Sequence, residues 1–253
     1  MKNLKNILTG IYLLSLFSVC SGQNTVPTVF ATGGELNETY LRYIIELTKK
    51  ADPKICFMPT AGADNPYAIN WWYELCQKLP VKTVVLKTFI NSSPEQSTFA
   101  ETILSSDAVV VGGGNTLNMI AIWKAQGIDT VLMKAYKKGI IMAGGSAGSL
   151  CWFKMGITDS RPQKLTIVDC LGFIAASHCP HFTSEASRRP LYEKLILENK
   201  ILPGYALDDK AAVLFKNGKF LKAVSLDNAN SAWYISVKNG KLDEKKLETE
   251  IIR

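Results

Sequence analysis

Gly144-Gly145-Ser146-Ala147-Gly148 carries a G-x-S-x-G spacing directly after the apolar run Ile140–Ala143. Between a strand and a helix, that spacing turns the chain sharply at the serine and lifts its hydroxyl clear of the sheet. The flanking glycines leave room where a Cβ would collide with a neighbouring strand or helix. A serine hydroxyl is a poor nucleophile until a base takes its proton, so the spacing calls for a partner elsewhere in the chain. The chain has two histidines, both in His178-Cys179-Pro180-His181, and either imidazole qualifies. Taken alone, the pentapeptide is equally a plain strand-to-helix turn.

A second glycine run, Gly112-Gly113-Gly114-Asn115-Thr116, follows the apolar segment Ala108–Val111. It lacks the Gly-Lys-Ser/Thr ending of a P-loop and the third glycine of a dinucleotide fingerprint. Free backbone N–H groups at such a turn suit a developing oxyanion, so Gly113 or Gly114, together with Ala147 beside the serine, are candidate donors. A third group should orient the histidine and stabilise its cation. Asp208, Asp209 and Asp159 are the downstream candidates, and the residues alone do not choose among them.

These residues need elements to position them. Thr28–Thr32, Lys54–Met58, Lys82–Leu86, Ala108–Val111 and Ile140–Ala143 read as strands. Between them, 37–50, Tyr67–Lys78, Pro94–Ser105, Leu117–Lys124 and Asp129–Lys137 read as helices. Alternating strands and helices, each strand ending in glycine or a polar loop, predict a mostly parallel sheet covered by helices, with sites at the strands' carboxyl ends. Beyond Cys151 the chain becomes strand-rich. Thr166–Ile174 leads to the histidines and Arg189–Glu198 is helical. Ala211–Phe215 and Lys219–Val224 form a hairpin about Asn217-Gly218, and Ala232–Val237 precedes a turn at Asn239-Gly240.

Length and composition describe one ordinary globular unit: 253 residues, 47% hydrophobic and 20% charged. Residues 1–22 have the order of an export signal: Lys2 and Lys5, an apolar Ile7–Val19, then small residues at Cys20-Ser21-Gly22. Residues 23–253 then form a single domain, exported to the periplasm or cell envelope. Cys20 also stands where lipid is attached in lipoproteins, although Val19 occupies a place usually held by a small residue. Any membrane association is expected only through such a lipid. Two of the net +7 charges are Lys2 and Lys5, and the rest are dispersed. That dispersal, without interleaved aromatics, argues against a nucleic-acid partner and is weakly suited to acidic substrates. The cysteines beyond Cys20 form no paired framework, and Cys56 and Cys170 read as small core residues. No metal-ligand spacing is present, so no bound metal is expected, and attack by a serine needs no organic cofactor.

Jointly, Val110–Thr116, Ala143–Gly148, Cys179-Pro180-His181-Phe182 and Phe57-Met58-Pro59-Thr60-Ala61, in that family's order, resemble the peptidase E family. The resemblance runs from about Val29 to Phe215. It implies a flavodoxin-like α/β fold, similar to class I glutamine amidotransferases, with a mostly parallel central sheet, helices on both faces and a strand-rich C-terminal extension. It also implies a serine peptidase acting on small peptides through an acyl-enzyme: Ser146 as nucleophile, His181 rather than His178 as base, Asp209 as the acid. Asp159 matches another family acid near the substrate, its role left open, and Asn115 is a further candidate for substrate binding. Arg188 and Arg189 lie near, but not at, the family's substrate-binding arginine, which puts specificity for N-terminal aspartate in question. Two rival expectations are a cyanophycinase-like hydrolase of β-aspartyl peptides and a binding protein that keeps the fold without catalysis. The assembly state is left open, a homo-oligomer included.

Overall fold

The computed structural model describes residues 26–89 and 93–253. The expected export signal at 1–22, with Cys20, lies outside them. Two sheets share one apolar interior. The first has eight strands in the order β14-β11-β10-β1-β5-β4-β2-β3, and the second has six in the order β13-β12-β9-β8-β6-β7.

The first sheet is built around β1 (Thr28–Thr32), β5 (Ile141–Gly145) and β4 (Ala108–Val111), all fully buried. Strands covered on both faces read as unbroken apolar runs, which is why these three are visible as sequence. β2 (Lys54–Met58) and β3 (Lys82–Val85) complete the parallel set. Helices cover both faces. α1 (Glu38–Thr48) and α2 (Pro66–Cys76) pack on one, where Trp72 stacks on Phe57 at 4.6 Å. On the other lie α3 (Phe99–Leu104), α4 (Thr116–Ala125), α5 (Ile128–Lys137) and the short α6 (Ala147–Leu150).

Helix starts follow side-chain caps. Asn37 accepts from the Tyr40 N–H at 3.0 Å to open α1. Thr98 and Glu101 form a reciprocal capping box at the start of α3. The helix expected over Pro94–Ser105 is therefore shorter than its sequence suggested. Thr98 is extended and its hydroxyl accepts from the Glu101 N–H, leaving Pro94–Thr98 outside the helix.

The C-terminal strands do more than extend the first sheet. β10 (Ala211–Lys216) runs antiparallel to β1, and β11 (Lys219–Ser225) and β14 (Thr249–Ile251) continue outward from it. The second sheet comprises β6 (Phe153–Thr158), β7 (Thr166–Asp169), β8 (Ile174–Cys179), β9 (Gly204–Leu207), β12 (Ala232–Lys238) and β13 (Lys241–Lys246). β6 was not foreseen, because Phe-Lys-Met-Gly-Ile-Thr shows no clean alternation. Both hairpins turn as expected: Asn217-Gly218 and Asn239-Gly240 have positive φ at each residue. α7 (Arg188–Leu197) packs on the second sheet around Tyr192, Phe182 and Ile235.

The sheets meet across a cluster that includes Trp123, Trp152, Phe153 and Phe215. One polar tie crosses this region. His178 on β8 is fully buried, its Nδ1 2.9 Å from the Tyr205 carbonyl oxygen and its Nε2 2.9 Å from Ser149 Oγ on α6. Its ring stacks on Phe153 at 4.5 Å. Burial pulls its pKa down to about 3 from the usual 6.5, so the ring is neutral and donates from Nδ1 to the Tyr205 carbonyl, while the Ser149 hydroxyl beside Nε2 also lies 2.8 Å from the Ser146 carbonyl oxygen. The thiols behave as the sequence expected of core residues: burial pushes Cys56 and Cys170 up to about 12.

Close approach also fixes the β5–α6 turn. A Cβ on Gly148 would strike the carbonyl oxygens of Val111 and Gly112, and one on Gly144 would strike those of Gly148 and Val111. Gly148→Ala is expected to lower stability by about 1–3 kcal/mol, read as a lower urea midpoint at unchanged slope. For His178 the folded protein binds fewer protons than the unfolded chain between pH 6.5 and about 3. Stability is therefore full above pH 6.5 and is lost on acidification through that window, at up to about 1.4 kcal/mol per pH unit from this group. Urea titrations across that range, with imidazole resonances still those of neutral His178 at pH 5, check it.

Candidate active site

Gly33-Gly34 ends β1, Gly112–Gly114 follow β4, and Ser146 follows β5, on three neighbouring parallel strands. Their carboxyl ends therefore bring the three loops together. Ser146 adopts φ 53° and ψ −117°, a sparsely populated conformation held by the packed glycines on either side.

His181 and Asp209 reach this point from the second sheet's side. Ser146 Oγ lies 2.7 Å from His181 Nε2, and His181 Nδ1 lies 2.6 Å from Asp209 Oδ1. A carboxylate only accepts, so Nδ1–H is the donor to Asp209; in the neutral ring Nε2 is then left to accept from the Ser146 hydroxyl. Ser184 Oγ also donates to Asp209 Oδ1 at 2.9 Å. The imidazole is mostly covered, while Asp209 is partly open to solvent. A hydroxyl aligned on an imidazole that a carboxylate orients is chemically equipped for nucleophilic attack with general-base help.

The other two acids lie elsewhere. Asp208 is buried and faces away from the imidazole, accepting from Thr183 Oγ1 at 2.7 Å and the Ser231 N–H at 2.8 Å. Asp159 is mostly exposed and 3.7 Å from Arg188 Nη2. His178, in the inter-sheet core, does not reach Ser146.

Gly113 abuts the serine: a Cβ there would lie 3.4 Å from Ser146 Cβ. Among the described residues, the N–H groups of Gly113, Gly114 and Ala147 have no hydrogen-bond acceptor. They remain available to an incoming oxygen. Asn115 is committed at both ends of its amide, accepting from the Asn118 N–H at 2.9 Å and donating to the Ser160 carbonyl at 3.1 Å.

A pocket of about 300 Å³ opens beside Ser146 and His181, walled by Gly112–Gly114, Phe57, Trp71 and Glu35. Arg188, Arg189, Asn115 and Asp159 do not line it. Arg188 is buried and pairs with Glu185. Arg189 pairs with Glu193 and Glu244 and lies over the rings of Phe182 and Trp233 at 5.2 and 5.5 Å, clamping α7 to the second sheet. A larger open depression, about 1280 Å³ along Val84–Lys87 and Pro94–Ser105, contains none of the candidate residues.

Several participants were missed in the sequence. Ser184 is one of many serines, without a spacing that marks it. Glu35 and Trp71 carry no motif. Gly33-Gly34 was visible as the end of β1, but its partners were not. Gly33 O accepts from the His181 N–H at 3.2 Å, and the Gly34 N–H donates to the Asp209 carbonyl at 3.0 Å.

The chain is similar to known proteins along most of its length. Residues 29–223 match the sequence model of peptidase family S51. An uncharacterized peptidase, YgaJ of Bacillus subtilis (strain 168), is 36% identical over 211 residues, covering 83% of this chain and 90% of that protein. Lin0382, an uncharacterized peptidase of Listeria innocua, is 21% identical over 172 residues, covering 64% of this chain and 80% of its own. The crystal structure of a peptidase from an acI-B1 Actinobacterium superimposes with a TM-score of 0.69 at 15% identity, covering 91% of this chain and 98% of that one; at this identity the likeness is one of fold. The family match spans both glycine loops, the histidine pair and Asp209. The chain belongs to peptidase family S51, the peptidase E family, and is a serine-type peptidase.

Proposed function

We propose that Ser146, His181 and Asp209 form the catalytic triad of a peptidase acting on small peptides. The observation that carries this reading is the continuous hydrogen-bonded chain from Ser146 Oγ through His181 to Asp209, opening on a pocket. Ser146 Oγ attacks the scissile carbonyl as His181 Nε2 takes its proton. The carbonyl oxygen becomes an oxyanion and receives the N–H groups of Gly113, Gly114 and Ala147. His181 then protonates the departing amine, leaving an acyl-enzyme on Ser146. Water, deprotonated by the same imidazole, releases the acid and restores the serine. Asp209 holds the tautomer and stabilises the imidazolium, and Ser184 steadies the carboxylate.

The pocket is at the small end of ligand sites, which favours short peptides over protein substrates. The fold is proposed to be flavodoxin-like in its β2–β5 portion. The strand order β3-β2-β4-β5 supports this, although β1 takes the place at the end of that run. Residues 23–253 are proposed to work as one catalytic unit. The proposed setting is the cell envelope, on the order of charges and apolar residues in 1–22.

A fluorophosphonate probe is expected to label Ser146, with the adduct mapped by mass spectrometry. Ser146→Ala should abolish labelling and His181→Ala should suppress it. Either variant should lower kcat/KM for any cleaved peptide by at least about 10³-fold, with Asp209→Asn losing about 10²–10⁴-fold. Undiminished peptide hydrolysis by folded Ser146→Ala would overturn the assignment.

A further inference from the structure

The pocket beside Ser146 has an unusual charge balance for a chain of net charge +7. Of the side chains lining it, Glu35 and His181 are the ionisable ones, and no lysine or arginine is among them. His181 is already engaged by Ser146 and Asp209. Glu35 is exposed, and among the described residues its carboxylate has no hydrogen-bond or ion-pair partner. The nearby arginines are spent elsewhere, Arg188 on Glu185 and Arg189 on Glu193 and Glu244.

Glu35 is held close to the reacting serine by its neighbours. A Cβ on Gly145, the residue before Ser146, would collide with the Gly34 carbonyl and lie 3.2 Å from the Leu36 nitrogen. Glu35 thus sits between two residues packed on the turn that carries Ser146. Trp71 of α2, partly exposed, supplies an aromatic side to the same pocket, and Phe57 another. An acidic side chain entering here meets a like charge and no cation. A cationic one meets a free carboxylate and an indole able to take part in a cation–π contact.

We propose that this pocket selects peptides bearing a cationic group on the acyl side of the scissile bond, with Glu35 as the specificity-determining counter-charge and Trp71 as its aromatic wall. This rests on the serine-peptidase reading above. The cation is an ammonium or guanidinium, carried either by the free amino terminus or by a lysine or arginine side chain.

The test measures kcat/KM for Lys-Leu, norleucyl-Leu and Asp-Leu, free and N-acetylated, with the full chain and with Glu35→Gln and Glu35→Lys. Wild type should prefer Lys-Leu to Asp-Leu by at least about tenfold. Glu35→Gln should shrink that ratio about tenfold, and Glu35→Lys should invert it. Loss of preference on acetylation assigns the cation to the amino terminus, and a Lys-Leu over norleucyl-Leu preference assigns it to the side chain. Ratios unchanged in both variants would overturn the proposal. If none of the peptides is cleaved, calorimetric Kd values for Lys-Leu and Asp-Leu on Ser146→Ala, with and without Glu35→Gln, decide the matter. Tighter Lys-Leu binding that depends on Glu35 supports it; equal binding, or a preference indifferent to Glu35, overturns it. Fluorophosphonate labelling of Ser146 reports separately on the peptidase reading.

Discussion

Everything at the candidate site depends on how closely other backbone segments approach Gly33 and Gly34 at the end of β1. The Gly33 N–H donates to the Ala211 carbonyl at 2.9 Å, and the Gly34 N–H to that of Asp209 at 3.0 Å. The His181 N–H donates to Gly33 O at 3.2 Å, while Gly34 O packs against Gly145. Two backbone units therefore fix the segments carrying Ser146, His181 and Asp209. A Cβ at Gly33 would overlap the backbone of Leu207 and Asp208, and one at Gly34 would crowd Asp209. With larger residues there, the second sheet's loops would be held off β1 and the hydrogen-bonded chain could not close. Because backbone groups make these contacts, they set position without depending on flexible rotamers.

The same economy separates the two histidines. They lie three residues apart, yet their surroundings differ completely. His178 belongs to β8 and points into the inter-sheet core, where its hydrogen bonds to Tyr205 and Ser149 suit a neutral ring. His181 lies past the strand's end at φ 55°, a left-handed conformation that turns its ring toward β1 and Ser146. One imidazole braces the helix that begins after Ser146 and the other faces the serine itself. Desolvation removes the first from acid–base chemistry near neutral pH.

Charge shows a comparable division between the whole chain and its parts. The positive excess is spread over surface lysines, several paired with carboxylates, such as Lys50 with Asp107 and Lys222 with Glu250. Exposed charges of this kind are screened over about 8–10 Å in physiological salt. The groups lining the pocket act at much shorter range. A net charge therefore says little about what a small recessed site prefers, and the arginines nearest in sequence to the histidines serve α7 and its contacts instead.

The sequence by itself determined what is local. β1 and β4 fall on their expected residues, and the central strands stand out because burial on both faces demands uninterrupted apolar runs. The glycine-flanked Ser146 and both Asn-Gly hairpins declare themselves because a sharp turn or a positive φ restricts the residue types that fit. The tertiary structure decided what depends on direction through space. Asp208 and Asp209 are adjacent, so successive side chains leave the chain on different sides, and packing sends one to Thr183 and Ser231 and the other to His181. The second sheet, the role of Arg189 as a clamp and the pocket that Glu35 shares with Ser146 were equally invisible. Each joins residues far apart in the chain, and no spacing along a sequence encodes a contact made only after the sheets pack.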